Sequence, residues 1–192
     1  MEFDSVIKKR RSVRSFKGKS VNWRRAIDLI EAANHNPFAG NINALKYVIV
    51  ESKNTIKRIA EHAEQPWIEN SPLAIVICSN EIDLENLYGE RGRVYSRQQA
   101  GAVVQTMLLK LVDLKLAGCW VGAYSEEEIR RLLKIPNHIQ IEAILAIGHA
   151  DEERGIIKKK SIEATIYWEK WSAEKKPETF FKEPEDQYQL KK

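Results

Sequence analysis

The sequence predicts a single domain that mixes α-helices with short, buried β-strands. The chain has 192 residues, of which 43% are hydrophobic, and this fits one core at the usual domain size of roughly 100 to 200 residues. Segments with helical periodicity alternate with short apolar runs rich in β-branched residues. An uncharged apolar run of roughly 18 residues, the signal for a transmembrane helix, does not occur in the sequence.

Charge and cysteine content favour a cytoplasmic protein. The 31 basic and 27 acidic residues give a formal charge of +4 and are interspersed, which is a weak indication of nucleic-acid binding. The two cysteines, Cys78 and Cys119, lie far apart and form no CxxC pair. Residues 1–11 lack the apolar region of a signal peptide. We therefore expect a cytoplasmic location, with neither nucleic acid nor membrane as a partner.

The first half of the chain carries two helix signals and two strand signals. Asn22 precedes an amphipathic pattern and is expected to cap that helix, which the stretch NPFAGN then breaks. Two apolar, β-branched runs predict buried strands. The helices are predicted at residues 23–35 and 53–64, and the strands at residues 45–51 and 73–79.

The longest predicted helix covers residues 97–117 and ends at Gly118. Apolar side chains occupy most of its circumference, which indicates burial on more than one side. We expect it to pack against the sheet on one side and against a second copy of the chain on the other. A turn at CWVGAY (119–124) is predicted next, followed by a short helix with a capping box from Ser125 to Glu128 and by a strand at 141–149.

The last part of the chain differs in composition from the rest. Residues 151–192 are highly charged yet contain six aromatic residues, which is unusual for a solvated tail. We interpret residues 1–150 as the core and 151–192 as an arm of the same domain that packs its rings on a partner subunit.

A basic cluster near the start of the chain suits an anion. Arg10, Arg11, Ser12 and Arg14 combine guanidinium groups, which pair two oxygens at once, with a hydroxyl that adds a neutral hydrogen bond. A phosphate or polyol phosphate fits this set. The alternative is a solvated basic patch or a nonspecific nucleic-acid contact.

Other common sites lack their motifs in this sequence. GxxxxGK[ST], GxGxxG and GxSxG are absent, and the four histidines show neither HExxH nor paired metal-ligand spacing. We therefore predict no metal site.

Four separated segments of the chain carry a shared pattern, and they are, in order, RRSVRSF, NPFAGNINALKYVIV, QQAGAVVQTMLLKLVDLKLAGCWVGAY and AILAIGHADEERGIIKKKSIEATIYWEKW. Together, over roughly residues 3–172, they resemble the nitroreductase family of FMN-dependent oxidoreductases. The resemblance implies an α+β fold with a central, mainly antiparallel sheet flanked by helices. It also implies an intertwined homodimer with FMN bound at the subunit interface.

The resemblance also implies which residues contact FMN. Arg10, Ser12 and Arg14 would hold the phosphate and ribityl chain, and Arg11 would lie near the flavin ring through its backbone and side chain. The lysine run after the last strand would reach the same phosphate, and backbone amides of CWVGAY would approach flavin N5 and O4. The implied contacts are Arg10, Arg11, Ser12, Arg14, Pro37, Phe38, Ala39, Asn41, Asn43, Val121, Gly122, Lys158 and Lys160.

Some of these residues depart from the family pattern, and two of the segments have an alternative interpretation. Asn41 is expected to come from the opposite subunit, Asn43 stands where the family commonly has glutamine, and Phe38 replaces a small polar residue and makes the flavin's surroundings more apolar. The lysine run could instead be a solvated loop, and CWVGAY an ordinary turn between a helix and a strand.

The implied activity is a two-step, ping-pong transfer of hydride from NADH or NADPH through FMN N5 to a nitroaromatic, quinone or similar conjugated acceptor. Because the cofactor carries the chemistry, no catalytic side chain is predicted. Residues 81–97 are expected near the pocket mouth, where Tyr88, Arg91 and Tyr95 either touch substrate or serve as ordinary surface residues.

Two other functions stay open at this point. One is a narrow-substrate FMN enzyme of the same fold that dehalogenates or consumes its own flavin. The other is a non-enzymatic basic protein that binds anions or nucleic acid; it would be colourless and would lose its ligand steeply with salt.

Overall fold

A computed structural model describes residues 2–152, 155, 159–161 and 165–171 of the chain. It divides into two compact units, Met1–Arg154 and Gly155–Lys192. In the first unit the helices are α1 (Phe3–Lys9), α2 (Arg24–Ala33), α3 (Lys53–His62), α4 (Ile82–Tyr88), α5 (Arg91–Asp113) and α6 (Glu126–Leu133). The strands are β1 (Leu45–Val50), β2 (Leu73–Ser79), β3 (Ala117–Val121) and β4 (Gln140–Gly148), and 3-10 turns cover Ala39–Asn41 and Pro66–Asn70.

The four strands form one sheet in the order β1-β2-β4-β3, and each neighbouring pair is antiparallel. The two central strands, β2 and β4, pair from Leu73 with Ile147 to Ser79 with Gln140. Strands β1 and β3 form the two edges. Helices and an antiparallel sheet confirm the predicted α+β class.

Helices cover both faces of the sheet. On one face Leu73, Ile75 and Ile77 of β2 join a core cluster that includes residues of α2 and α5. On the other face Ala74, Val76 and Cys78 join residues of α3 and α6. Successive residues of a strand point to opposite faces, so the fully buried run in β2 feeds both cores, and each large aliphatic side chain contributes about 1.5–3 kcal/mol.

Helix α5 starts earlier and ends earlier than the sequence predicts. It begins at Arg91, where Arg93 and Arg97 form ion pairs with Glu85 and Glu81 of the preceding segment. These ion pairs support the first turns of α5, residues 91–96, where the charged sequence shows no helical pattern of apolar residues. At its other end Lys115 takes a left-handed conformation, with φ of 57°, and the chain leaves the helix.

The prediction that the helix ends at Gly118 is therefore wrong, because Gly118 belongs to strand β3. The first half of the predicted turn, Cys119 to Val121, is wrong for the same reason. A Cβ atom built on Gly118 would lie 2.6 Å from Leu111 Cδ1 and 3.0 Å from the Ala146 carbonyl oxygen. Glycine at this position lets β3 lie directly against α5 and β4.

Of the two predicted helix caps, Asn22 makes a capping hydrogen bond and Ser125 does not. The Asn22 side-chain oxygen accepts a hydrogen bond of 2.9 Å from the Arg24 amide at the start of α2. Ser125 occupies the N-cap position of α6, but its side chain makes no capping hydrogen bond, so the predicted capping box is not formed. Three glutamates in the first turn of α6 still complement the helix dipole.

The described residues of the second unit include part of the predicted arm. The rings of Tyr167 and Trp171 stack with centroids 4.6 Å apart, and the Trp171 side chain is 82% exposed. Phe180, Phe181 and Tyr188 lie outside the described residues, and packing of the arm on a partner subunit stays a prediction. Among the described residues, no helix combines the length and apolarity needed to cross a membrane.

Candidate functional site

The basic N-terminal segment is attached to the edge strand β3. Ser12 forms a parallel bridge with Gly118, and the Val13 amide donates to the Gly118 carbonyl at 3.1 Å. Val13 is buried, whereas Ser12 and Arg14 on either side of it are exposed. This alternation is typical of an extended strand, so the backbone anchors the segment while Ser12 and Arg14 face outward.

A second set of main-chain contacts fixes the end of this segment. Phe16 forms an antiparallel bridge with Ala150, and the Lys17 amide donates to the His149 carbonyl at 2.9 Å. Burial, together with the charges of Lys19 and Lys17, lowers the pKa of His149. The neutral imidazole is thus favoured in a neighbourhood that is already positive and that suits an anionic ligand.

Arg10 and Arg11 lie where α1 ends. Arg10 is half-buried, and its amide donates to the Val6 carbonyl at 3.0 Å. The Arg11 guanidinium donates to the carbonyls of Lys8 and Arg10 at 2.6 and 2.8 Å, so its charge complements the helix C-terminus. A flavin contact from the Arg11 side chain would have to compete with these bonds and stays a prediction.

Val121 and Gly122 lie at the end of β3, on the same sheet edge as the basic segment. The Val121 side chain is buried in the core, so only its main chain is available to a ligand. Gly122 is exposed, and a Cβ atom built there would meet nothing within 4 Å among the described residues. The backbone at Gly122 is therefore open to close approach by a flat group.

The segment that precedes β1 lies at the opposite edge of the sheet. Gly40 and Asn41 both have left-handed backbones, with φ of 59° and 57°. A Cβ atom on Gly40 would lie 2.9 Å from Tyr88 Oη and 3.0 Å from Leu87 Cδ2. This close approach places the segment against the end of α4, so Tyr88 of the expected pocket mouth is a neighbour of a predicted flavin loop.

The remaining predicted contacts of this segment differ in their surroundings. Phe38 packs against the core cluster beside α2 and α5, while Pro37 is exposed and Ala39 is half-buried. The Asn43 amide nitrogen donates to Asn34 Oδ1 at 3.0 Å, and its oxygen accepts from the Leu45 amide at 3.0 Å. One end of the Asn43 side chain thus ties the loop to the end of α2, and the other caps the start of β1.

One protomer brings together only part of the predicted site. Ser12 and Arg14 lie along the β3 edge beside Gly118, near the start of that strand, and Gly122 follows the end of the strand. Residues 37–43 precede β1, which lies three strand spacings, roughly 14 Å, from β3. Lys160 is exposed and belongs to the second unit, and Lys158 lies outside the described residues.

Two residues next to this site were missed from the sequence. The Trp67 ring lies beside Arg14, with Arg14 Cζ 5.9 Å from the ring centroid. Gln65 accepts a hydrogen bond from Trp67 Nε1 and donates one to the Ala123 carbonyl. Both residues lie in the connection between α3 and β2, and their distance in sequence from Arg14 and Ala123 left no local signal for these contacts.

Comparison with known proteins places these observations in a family. The family model described as "Nitroreductase family" matches residues 7–72 and 63–149. A Methanothermobacter thermautotrophicus protein, named as a candidate NADH dehydrogenase/NAD(P)H nitroreductase, is 27% identical over 160 residues, which are 81% of each chain. An FMN reductase [NAD(P)H] of Bacillus subtilis is 27% identical over 154 residues, which cover 72% of this chain and 62% of the reductase.

Solved structures agree with the fold. A nitroreductase family protein from Clostridium novyi NT superposes with a TM-score of 0.73 at 26% identity and covers 90% of this chain and 96% of its own. YcnD from Bacillus subtilis, a hypothetical oxidoreductase, superposes with a TM-score of 0.80 at 24% identity, over 88% of this chain and 74% of its own. The chain therefore belongs to the nitroreductase family, which confirms the predicted oxidoreductase class and its FMN and nicotinamide cofactors.

Proposed function

We propose that the protein is a homodimeric, cytoplasmic oxidoreductase that reduces a nitroaromatic, quinone or similar conjugated acceptor in a two-step, ping-pong reaction. FMN would supply the capacity to accept a hydride from NADH or NADPH and to pass it on. The observation that carries the proposal is the attachment of the basic segment to β3, which places Ser12 and Arg14 on the same edge as the open backbone of Gly122.

The residues on this edge fit the two ends of FMN. Exposed guanidinium and hydroxyl groups suit a phosphate dianion, because charge-assisted hydrogen bonds from arginine are strong and directional. The accessible main chain at Gly122, directly after Val121 at the end of β3, suits the edge of a planar ring, because a flat group can approach it without a side chain intervening. We assign Arg10, Ser12 and Arg14 to the phosphate and ribityl chain, and Val121 and Gly122 to the ring.

The separation of the two sheet edges supports a dimeric site. Strand β1 lies three strand spacings, roughly 14 Å, from β3, and residues 37–43 precede β1 at that far edge of the sheet. We propose that Pro37, Phe38, Ala39 and Asn41 approach the flavin of the other subunit, and that Lys158 and Lys160 add charge near the phosphate.

A dehalogenating activity is a second candidate for the acceptor. An iodotyrosine deiodinase from Thermotoga neapolitana is 25% identical over 165 residues, which cover 78% of this chain and 89% of the deiodinase. A panel of nitroaromatics, quinones and halogenated phenols, each offered with NADH or NADPH, distinguishes these acceptors. For the preferred pair, parallel double-reciprocal lines would support the two-step order, and converging lines would contradict it.

The visible absorption spectrum of the protein, recorded after incubation with FMN and desalting, tests flavin binding directly. We expect a flavin spectrum that bleaches when NADH or NADPH is added without air. Replacing Arg10 or Arg14 by alanine is expected to weaken FMN about tenfold or more, since a hydrogen bond to a charged group contributes about 1.5–3 kcal/mol.

Lys9→Ala is the matched control for these variants. Lys9 is an exposed cation of the same run but is not among the proposed contacts, so its loss should change the affinity for FMN little. A colourless protein, or equal effects of all three substitutions, would favour the basic binding protein instead.

A further inference from the structure

The connection between α3 and β2 touches both parts of the proposed flavin site. Arg14 Cζ lies 5.9 Å from the centroid of the Trp67 ring. Trp67 Nε1 donates to Gln65 Oε1 at 3.2 Å, and Gln65 Nε2 donates to the Ala123 carbonyl at 3.1 Å. An unbroken series of side-chain contacts therefore runs from a phosphate-binding arginine to the residue that follows Gly122.

This connection is itself held by its main chain. The Gln65 amide donates to the Ala60 carbonyl at 3.0 Å, and the Ile68 amide donates to the Gln65 carbonyl at 3.0 Å. Ile68 is fully buried. The Ser125 amide also donates to the His62 carbonyl at 2.8 Å, so the turn after β3 is tied to the end of α3 at a second point.

Trp67 is placed between two side chains of the basic segment. The ring of buried Phe16 lies 6.3 Å from the Trp67 ring, at an interplanar angle of 43°. Trp67 packs on the buried cluster of Val13, Phe16 and Ala146, and its ring also lies beside the exposed Arg14 guanidinium. A guanidinium that rests on an aromatic face has fewer conformations to lose when it binds a phosphate.

We propose that Trp67 and Gln65 are positioning residues for FMN, an inference that rests on the proposed function. Trp67 holds the Arg14 guanidinium in place for the phosphate. Gln65 holds the Ala123 carbonyl, and with it the Gly122 turn that faces the ring. Together they fix the separation between the two ends of the ligand, although neither touches it.

Titration of the apoprotein with FMN and with riboflavin, followed by flavin fluorescence, separates the two roles. Riboflavin carries the ring and the ribityl chain but lacks the phosphate. Trp67→Leu is expected to weaken FMN about two- to fivefold, the range that corresponds to an exposed cation–π contact, and to leave riboflavin unchanged. Trp67→Phe keeps an aromatic face and should preserve the ratio of the two affinities.

Gln65→Met removes both hydrogen bonds of the glutamine at similar size. It is expected to weaken FMN and riboflavin by the same factor, because the ring is common to both, while the urea midpoint stays unchanged; a midpoint that falls with the affinities would show that Gln65 has only a structural role. A merely structural role of Trp67 would also lower both affinities together, and the urea midpoint with them. That outcome for Trp67→Leu would overturn its assignment.

Trp23 provides a matched control, because it is an exposed tryptophan with Arg24 Cζ 4.9 Å from its ring centroid and lies outside the proposed site. Trp23→Leu should leave both affinities unchanged. In an Arg14→Ala background, Trp67→Leu should have no further effect on FMN, since the contact it removes is already lost. If Trp67→Leu weakens FMN as much in that background as in the unaltered protein, the inference is contradicted. Because each step compares two affinities for FMN, a partly destabilised variant can still be used.

Failure of the inference differs from failure of the proposed function. If the unaltered protein binds neither flavin, both are overturned. If it binds FMN and loses affinity on Arg10→Ala or Arg14→Ala, but Trp67→Leu leaves the FMN to riboflavin ratio intact, only the positioning roles are wrong.

Discussion

The two edges of the sheet hold their parts of the proposed site in different ways. At the β3 edge, main-chain contacts between Val13 or Ser12 and Gly118 anchor the basic segment. At the β1 edge, side-chain amides add to the main-chain bonds of the loop, as in the bonds of Asn43 to Asn34 and to the Leu45 amide. A segment anchored by its backbone can present its side chains to a ligand, whereas a loop anchored by its side chains has fewer to offer.

The largest effect is expected for a glycine of the β3 edge. Gly118→Ala would place a Cβ atom 2.6 Å from Leu111 Cδ1 and 3.0 Å from the Ala146 carbonyl, and overpacking of this kind costs about 1–3 kcal/mol. We expect the free energy of unfolding, measured in urea, to fall by about this amount. Unchanged stability would mean that β3 is not packed tightly against α5 and β4 at Gly118.

Gly122→Ala is the control at the other end of the same strand. Its Cβ would meet nothing within 4 Å among the described residues, so stability should change by less than about 0.5 kcal/mol, as at other open surface positions. The affinity for FMN should nevertheless fall, because the methyl group would occupy the space proposed for the ring.

A smaller effect is expected at the β1 edge, where Asn43 and Asn41 should behave in opposite ways. Asn43→Ala removes two hydrogen bonds of the loop, and we expect a loss of about 1–2 kcal/mol in the free energy of unfolding. Asn41→Gly suits the left-handed backbone, with φ of 57°, and should leave stability within about 0.5 kcal/mol while weakening FMN. If Asn43→Ala instead kept full stability and lost FMN, Asn43 would be a ligand contact rather than an anchor.

The smallest effect concerns alkaline pH and the β1 side of the sheet. Burial raises the pKa of Cys78 to about 11 and that of Tyr47 to about 12. Because the unfolded chain releases these protons at lower pH than the folded one, stability should fall as pH rises from about 9 through 11. Urea midpoints measured across this range should decline less steeply in Cys78→Ala than in the unaltered protein; equal slopes would show that the thiol does not contribute.

Three of the four strands could be predicted because β1, β2 and β4 are short, mostly apolar runs rich in β-branched residues. The signal is clearest in β2, where burial on both faces makes the whole run apolar. Strand β3 was hidden because its five residues include Gly118 and follow directly on a helical pattern. The start of α5 was hidden because pairs such as Arg97 with Glu81 stabilise it from outside the helix.

The candidate site could be predicted only where residue type alone indicates the ligand. Arg10, Ser12 and Arg14 form a compact donor set that is visible within one short segment. The structural use of Asn43 and the contacts of Trp67 depend on partners brought together by the fold, and no spacing rule within the segments themselves indicates them.

The bridge between Ser12 and Gly118 also orders events during synthesis. It joins positions about a hundred residues apart, a separation at which loop closure is entropically costly. The arginines of the basic segment are translated before Gly118, so the strand that fixes their backbone does not yet exist when they are made, and its own neighbour β4 follows later still. The arginines of the proposed site are thus made well before the strand that shapes their segment, and the nascent chain carries an unplaced cationic segment while about a hundred further residues are translated.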